Sequence, residues 1–163
     1  AIQEYEMAVS LNPSFPEGSS NLGGNYFRMK KYKKAEKLFE QAIEAYPNFI
    51  QAHSNLGAVL NKLNRPKEAV PHLEKAIRLD PEFGIAYFNL GNAYIDQKNF
   101  NEAQKAYEMA VKKGIDFLSL HWGLYKIHSQ QGKRAEAKRE LEIILQIDPE
   151  SREVKKKLEE LSQ

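Results

Sequence analysis

The chain has 163 residues, 24 basic and 22 acidic side chains, and a formal net charge of +2. Such a small charge gives no strong field, so neither nucleic acid nor a membrane surface is expected as a partner. No apolar run approaches the roughly 20 residues that a membrane-spanning helix requires. The chain contains no cysteine, which excludes disulfide bonds and thiolate metal sites. We take the cytoplasm as its default location.

The sequence repeats itself with a period of 34 residues. Proline marks the register at Pro13, Pro47 and Pro81, and again two periods later at Pro149. In the same frame a small residue and a large one recur four positions apart, at Ala35 and Phe39, Ala69 and Leu73, Ala103 and Tyr107, and Ala137 and Leu141. A fixed period of this length is typical of stacked structural repeats.

Each period contains two apolar stripes with helical spacing. In the first half of one period, Leu22, Gly23 and Tyr26 lie on one face of a helix. In the second half, Ala35 and Phe39 do the same for a second helix. The small residues let the helices approach closely, and the large ones fill the space beside them. The pattern therefore predicts two packed helices in each period, the second of which ends at proline.

Local signals suggest where these helices begin and end. Residues 14–17 and 48–51, headed by Ser14 and Asn48, resemble capping boxes that open a helix. The third period lacks the proline, but Gly114 lies next to that position and can adopt the left-handed conformation that ends a helix. Pro71 lies well inside a predicted helix that starts near Pro66, so we expect a kink or a late start there.

The elements follow one another in chain order with no linker between them. Residues 1–15 form a half repeat, the full repeats span 16–49, 50–83, 84–117 and 118–151, and 152–163 form a C-terminal capping helix. The recurring leucine-glycine, tyrosine, alanine, phenylalanine, alanine and proline positions resemble the tetratricopeptide repeat over essentially the whole chain. The resemblance implies an all-α protein, a single α-solenoid of antiparallel helix pairs wound into a right-handed superhelix.

An asparagine recurs at the sixth position of three repeats, as Asn21, Asn55 and Asn89. In the family this stripe of the first helix lines a concave surface on which extended peptides lie. A side-chain amide can pair with both peptide N–H and C=O groups whatever the peptide sequence. The spacing is similar to an asparagine ladder in the repeat arm of O-linked N-acetylglucosamine transferases. The alternative is that each asparagine bonds a neighbouring helix across the groove wall.

Apolar and polar residues accompany this ladder on the same stripe. We expect the groove to include the apolar Phe27, Ile85, Phe88 and Trp122 and the polar Asn92 and Lys126. Ile95 falls on the stripe as well. Exposed aromatic residues with polar neighbours are typical of partner anchors. For Trp122 and Ile95, packing against the terminal helix or each other is the open alternative.

No motif in the chain indicates an enzyme, a cofactor or a metal site. Phosphate-binding loops, paired catalytic carboxylates and nucleophile motifs do not stand out. His53 and His121 lie two repeats apart, too far to share a metal. The positions at which chaperone-binding members of the family clamp a terminal carboxylate match only in the middle asparagine. A chaperone-tail clamp is therefore not expected.

These observations favour a non-catalytic scaffold that binds an extended peptide or protein segment in its concave groove. Two alternatives stay open, an assembly scaffold that stacks through its ends and a substrate-binding arm of a larger enzyme such as a glycosyltransferase. Ile2, Tyr5 and Val9 lie on a helix whose partner is absent from this chain, so we expect self-association there.

Overall fold

The computed structural model describes residues 6–7 and 15–162, without the side chain of Ser162. Residues 15–162 contain nine helices and no strand, as the period predicted. The predicted association face at Ile2, Tyr5 and Val9 lies outside the described residues. Glu6 and Met7 are helical, and the hydroxyl of Tyr26 donates a hydrogen bond to the Glu6 carboxylate.

The helices follow one another with short connections. Their bounds are α1 Pro16–Arg28, α2 Tyr32–Ala45, α3 Ile50–Lys62, α4 Pro66–Leu79, α5 Gly84–Asp96, α6 Phe100–Lys112, α7 Phe117–Gln130, α8 Arg134–Ile147 and α9 Arg152–Ser162. We call α1, α3, α5 and α7 the first helices, and α2, α4, α6 and α8 the second helices.

The core lies between the two helices of each pair. The alanine and large apolar positions of the second helices are buried, with Ala35 fully inaccessible and Phe39 only 1% exposed. A Cβ added at Gly57 would lie 2.5 Å from Leu73 Cγ, so this glycine lets α3 and α4 approach closely. The terminal helix α9 packs its buried Val154 against α8.

The curvature follows from which helices touch across repeats. Each helix packs against its neighbours in the chain, and the first helices also contact one another, α1 with α3, α3 with α5 and α5 with α7. Within residues 15–162 no two second helices come equally close. The first helices therefore line the inner, concave wall of the solenoid.

Two of the expected helix boundaries are wrong. The N-cap of α3 is Phe49, and no side chain caps it, so Asn48 does not head a capping box. Ser14 lies outside the described residues, and the N-cap of α1 is Phe15. Helix α4 starts at Pro66 and continues through the exposed Pro71, so the late start is wrong. Gly114 does adopt the left-handed conformation expected of it, with φ +92°.

The turn within each helix pair uses a left-handed residue at the same repeat position. This residue is Lys30, Asn64, Lys98 and Gly132 in successive repeats, with φ of 59°, 59°, 61° and 71°. Residues other than glycine are strained in the left-handed region at positive φ, because their Cβ crowds the following carbonyl group. Only the fourth repeat therefore has the unstrained residue.

Candidate peptide-binding groove

The concave wall contains a first depression of about 650 Å³ between α1 and α3, which we call the N-terminal groove. Asn21 and Asn55 line it together with residues that are mostly polar, namely Glu17, Ser20, Gly24, Asn25, Arg28, Phe49 and Gln51. Its one acidic and one basic side chain balance in charge. The groove therefore offers hydrogen-bonding groups more than a net field.

A second depression of about 600 Å³, the C-terminal groove, is formed mainly by α3, α5 and α7. Its lining combines apolar groups, side-chain amides and charges, namely Phe27, Ala58, Asn61, Lys62, Phe88, Asn89, Asn92, Ile95, Asp96, Lys126 and Gln130. Every one of these residues lies at repeat position 5, 6, 9, 12 or 13 of a first helix, which is the stripe that also carries the ladder asparagines. The composition suits a ligand with both apolar and polar groups.

A small cavity joins the two grooves. It has a volume of about 50 Å³, and its walls include Gly24 and Asn55 from the N-terminal groove and Phe27 and Ala58 from the C-terminal groove. Phe27 is half-buried, and its ring centroid lies 5.5 Å from that of Tyr32. The two depressions are thus parts of one trough along the first helices.

The three ladder asparagines reach this trough with their amide groups unused. Asn21 is exposed, and Asn55 and Asn89 are half-buried. Within the described residues, none of the three side chains makes a hydrogen bond to another part of the protein. The bond across the groove wall that the sequence left open as an alternative is therefore not formed. Each amide is available to a ligand.

Asn92 differs from the ladder residues because its amide group is already engaged. Its Oδ1 atom accepts a hydrogen bond of 3.0 Å from the Tyr107 hydroxyl, and its Nδ2 atom donates to the Phe88 carbonyl oxygen at 3.2 Å. Lys126 Nζ also approaches Asn92 Oδ1, at 3.5 Å. Asn92 therefore positions its neighbours in the C-terminal groove, whereas the sequence predicted a ligand contact for it.

The ladder stops at the fourth repeat for a steric reason. Gly123 holds the ladder position there, and a Cβ on it would lie 2.5 Å from Tyr107 Cε2. Tyr107 is only 1% exposed, and its ring reaches across the groove wall to Asn92. Burial raises the pKa of Tyr107, so its hydroxyl stays protonated and donates. No side chain fits at position 123 beside this ring.

Three apolar residues on the predicted stripe do not enter either groove as free anchors. Ile95 lines the C-terminal groove but is only 2% exposed, because it packs in the core with Tyr107. Trp122 packs in the cluster beneath α9, with its ring centroid 5.7 Å from that of Tyr125. Ile85 is 49% exposed and is not among the residues that line the two grooves.

Several groove residues were not named by the sequence analysis. Asn61, Lys62 and Asp96 occupy the last turn of α3 or α5 on the concave stripe. Asn61 Nδ2 donates to the Asn89 carbonyl oxygen at 2.9 Å, which ties α3 to α5 beside the ladder. All three occupy the twelfth or thirteenth position of a repeat, and this register is the signal in the sequence that places them on the concave stripe.

The histidines form packing contacts between the helices of a pair. His53 Nδ1 lies 3.1 Å from His72 Nδ1, and His53 Nε2 lies 2.9 Å from the Pro47 carbonyl oxygen. Because that carbonyl can only accept, a neutral His53 donates from Nε2, and His72 donates the bond between the rings. At the equivalent positions of the fourth repeat, His121 Nδ1 lies 2.6 Å from Glu140 Oε2.

The described residues contain neither a metal-binding cluster nor a membrane-spanning helix. Nowhere in that part of the chain do three or more metal-ligating histidines, cysteines or carboxylates gather. None of its helices is long and apolar enough to cross a membrane.

These features define an α-solenoid with a polar and partly apolar concave trough, and family comparison gives its repeat type. Models of the tetratricopeptide repeat match residues 18–82 and residues 60–116. The chain is thus a tetratricopeptide-repeat protein. No curated protein sequence matches it significantly.

Solved structures share the fold along nearly the whole chain. A thermophilic TPR protein of Thermus thermophilus has a TM-score of 0.80 at 16% identity and covers 98% of this chain and 88% of its own. MamA from Desulfovibrio magneticus RS-1 has a TM-score of 0.76 at 21% identity, with coverages of 93% and 85%. YrrB, described as a TPR protein with an unusual peptide-binding site, has a TM-score of 0.71 at 24% identity, with coverages of 92% and 77%.

Proposed function

We propose that this protein is a scaffold that binds an extended segment of a partner protein along its concave trough. Asn21, Asn55 and Asn89 hydrogen-bond the backbone of the segment, as in the similar ladder of O-linked N-acetylglucosamine transferases. Phe27 and Phe88 contact its apolar side chains. A peptide-binding site in YrrB, a structure of the same fold, agrees with this role.

One observation carries the proposal. Three amide groups at the same repeat position face one trough, and within the described residues none bonds to the protein itself. An amide that stabilised the fold would be paired with another helix, whereas these three are exposed or half-buried and unpaired. Extended backbone presents N–H and C=O groups at regular intervals, which a periodic row of amides can pair.

The test uses peptides selected from a random phage-displayed dodecapeptide library on the whole chain. A selected peptide is synthesised with a fluorophore, and its dissociation constant is measured by anisotropy. Asn55→Ala and Asn89→Ala are each expected to weaken binding about fivefold, because each removes roughly 1 kcal/mol of hydrogen bonding. Urea unfolding of both variants is expected to match that of the parent.

Two further variants complete the experiment. Asn101→Ala removes an exposed asparagine on α6, outside both grooves, and is expected to leave binding unchanged. Gly24→Leu places a side chain in the N-terminal groove, where a Cβ would meet no other atom within 4 Å. It is expected to block binding without unfolding the chain. Normal binding by the asparagine variants, combined with earlier unfolding, would show that the ladder is structural.

A further inference from the structure

The C-terminal groove contains two lysines without an ionic partner. Lys62 and Lys126 line it, and within the described residues no carboxylate lies within ion-pair distance of either. Some other lysines have such a partner, as Lys113 has in Glu82 and Lys105 has in Glu102 at 2.9 Å. The charge of the two groove lysines is therefore available to a ligand.

The ammonium group of Lys126 lies beside a partly buried hydrogen bond between Asn92 and Tyr107. Lys126 Nζ lies 3.5 Å from Asn92 Oδ1, and the same oxygen accepts the Tyr107 hydroxyl at 3.0 Å. Tyr107 is buried and cannot turn away. Removal of water by the groove walls lowers the pKa of Lys126, and the positive charge of Lys62 lowers it further, although the side chain remains exposed. Both lysines line the same groove of about 600 Å³, so one anion can lie near both.

Asp96 is the acidic residue of the same lining. Burial raises the pKa of Asp96, and the positive charges of Lys126 and Lys62 oppose that rise. With two lysines and one aspartate, the lining carries a net charge of +1. A basic side chain of a ligand would be attracted by Asp96 but repelled by the two lysines. An acidic side chain would be attracted by the two lysines and repelled by Asp96 alone. The groove therefore prefers a negative ligand group.

The apolar part of the same groove lies beside these charges. Phe27, Ala58 and Phe88 form it, and Phe88 stacks against Tyr107 with a ring-centroid distance of 5.5 Å. We propose that the C-terminal groove selects a partner segment in which an aspartate or glutamate lies within a few residues of an apolar side chain. The carboxylate binds between Lys62 and Lys126, and the apolar group contacts Phe27, Ala58 and Phe88. This inference rests on the proposed function and adds the sequence preference of the partner.

The lysine pair differs from the terminal-carboxylate clamp of chaperone-binding repeats. The clamp positions in the first three repeats hold Ser20, Gly24, Asn55, Ile85 and Asn89, so this chain has no cation there. Lys62 lies at the thirteenth position of the second repeat, and Lys126 lies at the ninth position of the fourth. The preferred group is accordingly an internal acidic side chain rather than a chain end.

The test compares dodecapeptides selected from the same random library on the parent and on three variants of the full chain. The parent is expected to enrich acidic over basic residues at least fivefold within three positions of an apolar residue. Lys62→Gln combined with Lys126→Gln is expected to abolish that preference. Asp96→Asn is expected to strengthen it, since it removes the opposing negative charge. The control variant combines Lys37→Gln with Lys112→Gln and so removes two exposed lysines outside the grooves. It is expected to retain the preference for acidic residues.

A synthetic peptide from the parent selection then gives the affinity. Replacing its acidic residue by glutamine is expected to weaken binding to the parent about tenfold, as two partly screened ion pairs are lost. The same replacement is expected to change binding to the double lysine variant less than twofold. Equal enrichment of acidic and basic residues, or a preference that survives loss of both lysines, would overturn the inference and leave the proposed function standing. If no peptide is enriched on any form of the chain, the proposed function itself fails.

Discussion

Gly123 lets α7 pack closely against the Tyr107 ring. Replacing this glycine by alanine tests whether that contact contributes to the stability of the fold. An added Cβ would lie 2.5 Å from Tyr107 Cε2 and 2.7 Å from Cδ2, far inside normal contact. The ring has little room to retreat, because its opposite edge packs so closely on the Gly91 backbone that an added Cβ there would lie 2.8 Å from it, and because Asn92 holds the hydroxyl. The clash must therefore be absorbed by the backbone of α7.

The expected cost follows from two opposing effects. An extra methyl group in a closely packed site costs about 3 kcal/mol, the upper end of the usual range, when neighbours cannot move. Alanine is a better helix former than glycine by about 1 kcal/mol. We therefore expect Gly123→Ala to lower the free energy of unfolding by about 2 kcal/mol.

Gly24 provides the matched control, since it also lies inside a first helix. A Cβ there would meet no other atom within 4 Å. Only the helix-propensity gain remains, so Gly24→Ala is expected to raise the free energy of unfolding by about 1 kcal/mol. Urea unfolding followed by far-ultraviolet circular dichroism measures both variants. A Gly123→Ala protein as stable as the parent would refute the packing argument, as would a penalty that persists in a Tyr107→Leu background.

Three further predictions concern stability. Lys98→Gly relieves a left-handed residue at φ 61° and is expected to raise the free energy of unfolding by about 0.5–1 kcal/mol. Arg65→Met leaves Glu36, which is only 6% exposed, with Lys33 as its remaining ion-pair partner and is expected to lower the free energy of unfolding. Burial, and then the charge of the neighbouring histidine, lowers the pKa of His72. The unfolded chain therefore binds protons more readily, so stability is complete above about pH 7.5 and falls as the pH drops through about 6.5.

Each of these predictions has its own control. Gly132→Lys reverses the first change and is expected to destabilise the turn of the fourth repeat by a similar amount. Arg78→Met breaks an exposed pair with Glu74 at 3.9 Å, and an effect as large as that of Arg65→Met would show that burial of Glu36 is irrelevant. For the third prediction, His72→Asn is expected to flatten the pH dependence of urea unfolding. An unchanged slope would exclude His72 as its source.

The sequence determined the fold through its period. Apolar and small residues at fixed positions can be buried only if every repeat forms the same helix pair and stacks on the next, so all-helical architecture followed directly. The concave stripe followed from the same register, and every residue lining the C-terminal groove lies on it. Boundaries were less predictable, because the helix starts at Phe15 and Phe49 use no side-chain cap, whereas Asp116 caps α7 through a 2.8 Å bond from the Ser119 amide.

Only the tertiary structure decided which residues of that stripe are available to a ligand. Asn55 and Asn92 both lie on the concave stripe, but the hydroxyl of Tyr107 from the following helix bonds Asn92, whereas no group among the described residues bonds the Asn55 amide. Trp122 packs in the apolar cluster beneath α9 with Leu141, Ile144 and Val154, which removes part of its ring from water. Periodicity fixes the face on which a side chain lies. The hydrogen-bond partners of that side chain depend on the size of residues in another helix, and a local sequence pattern does not predict them.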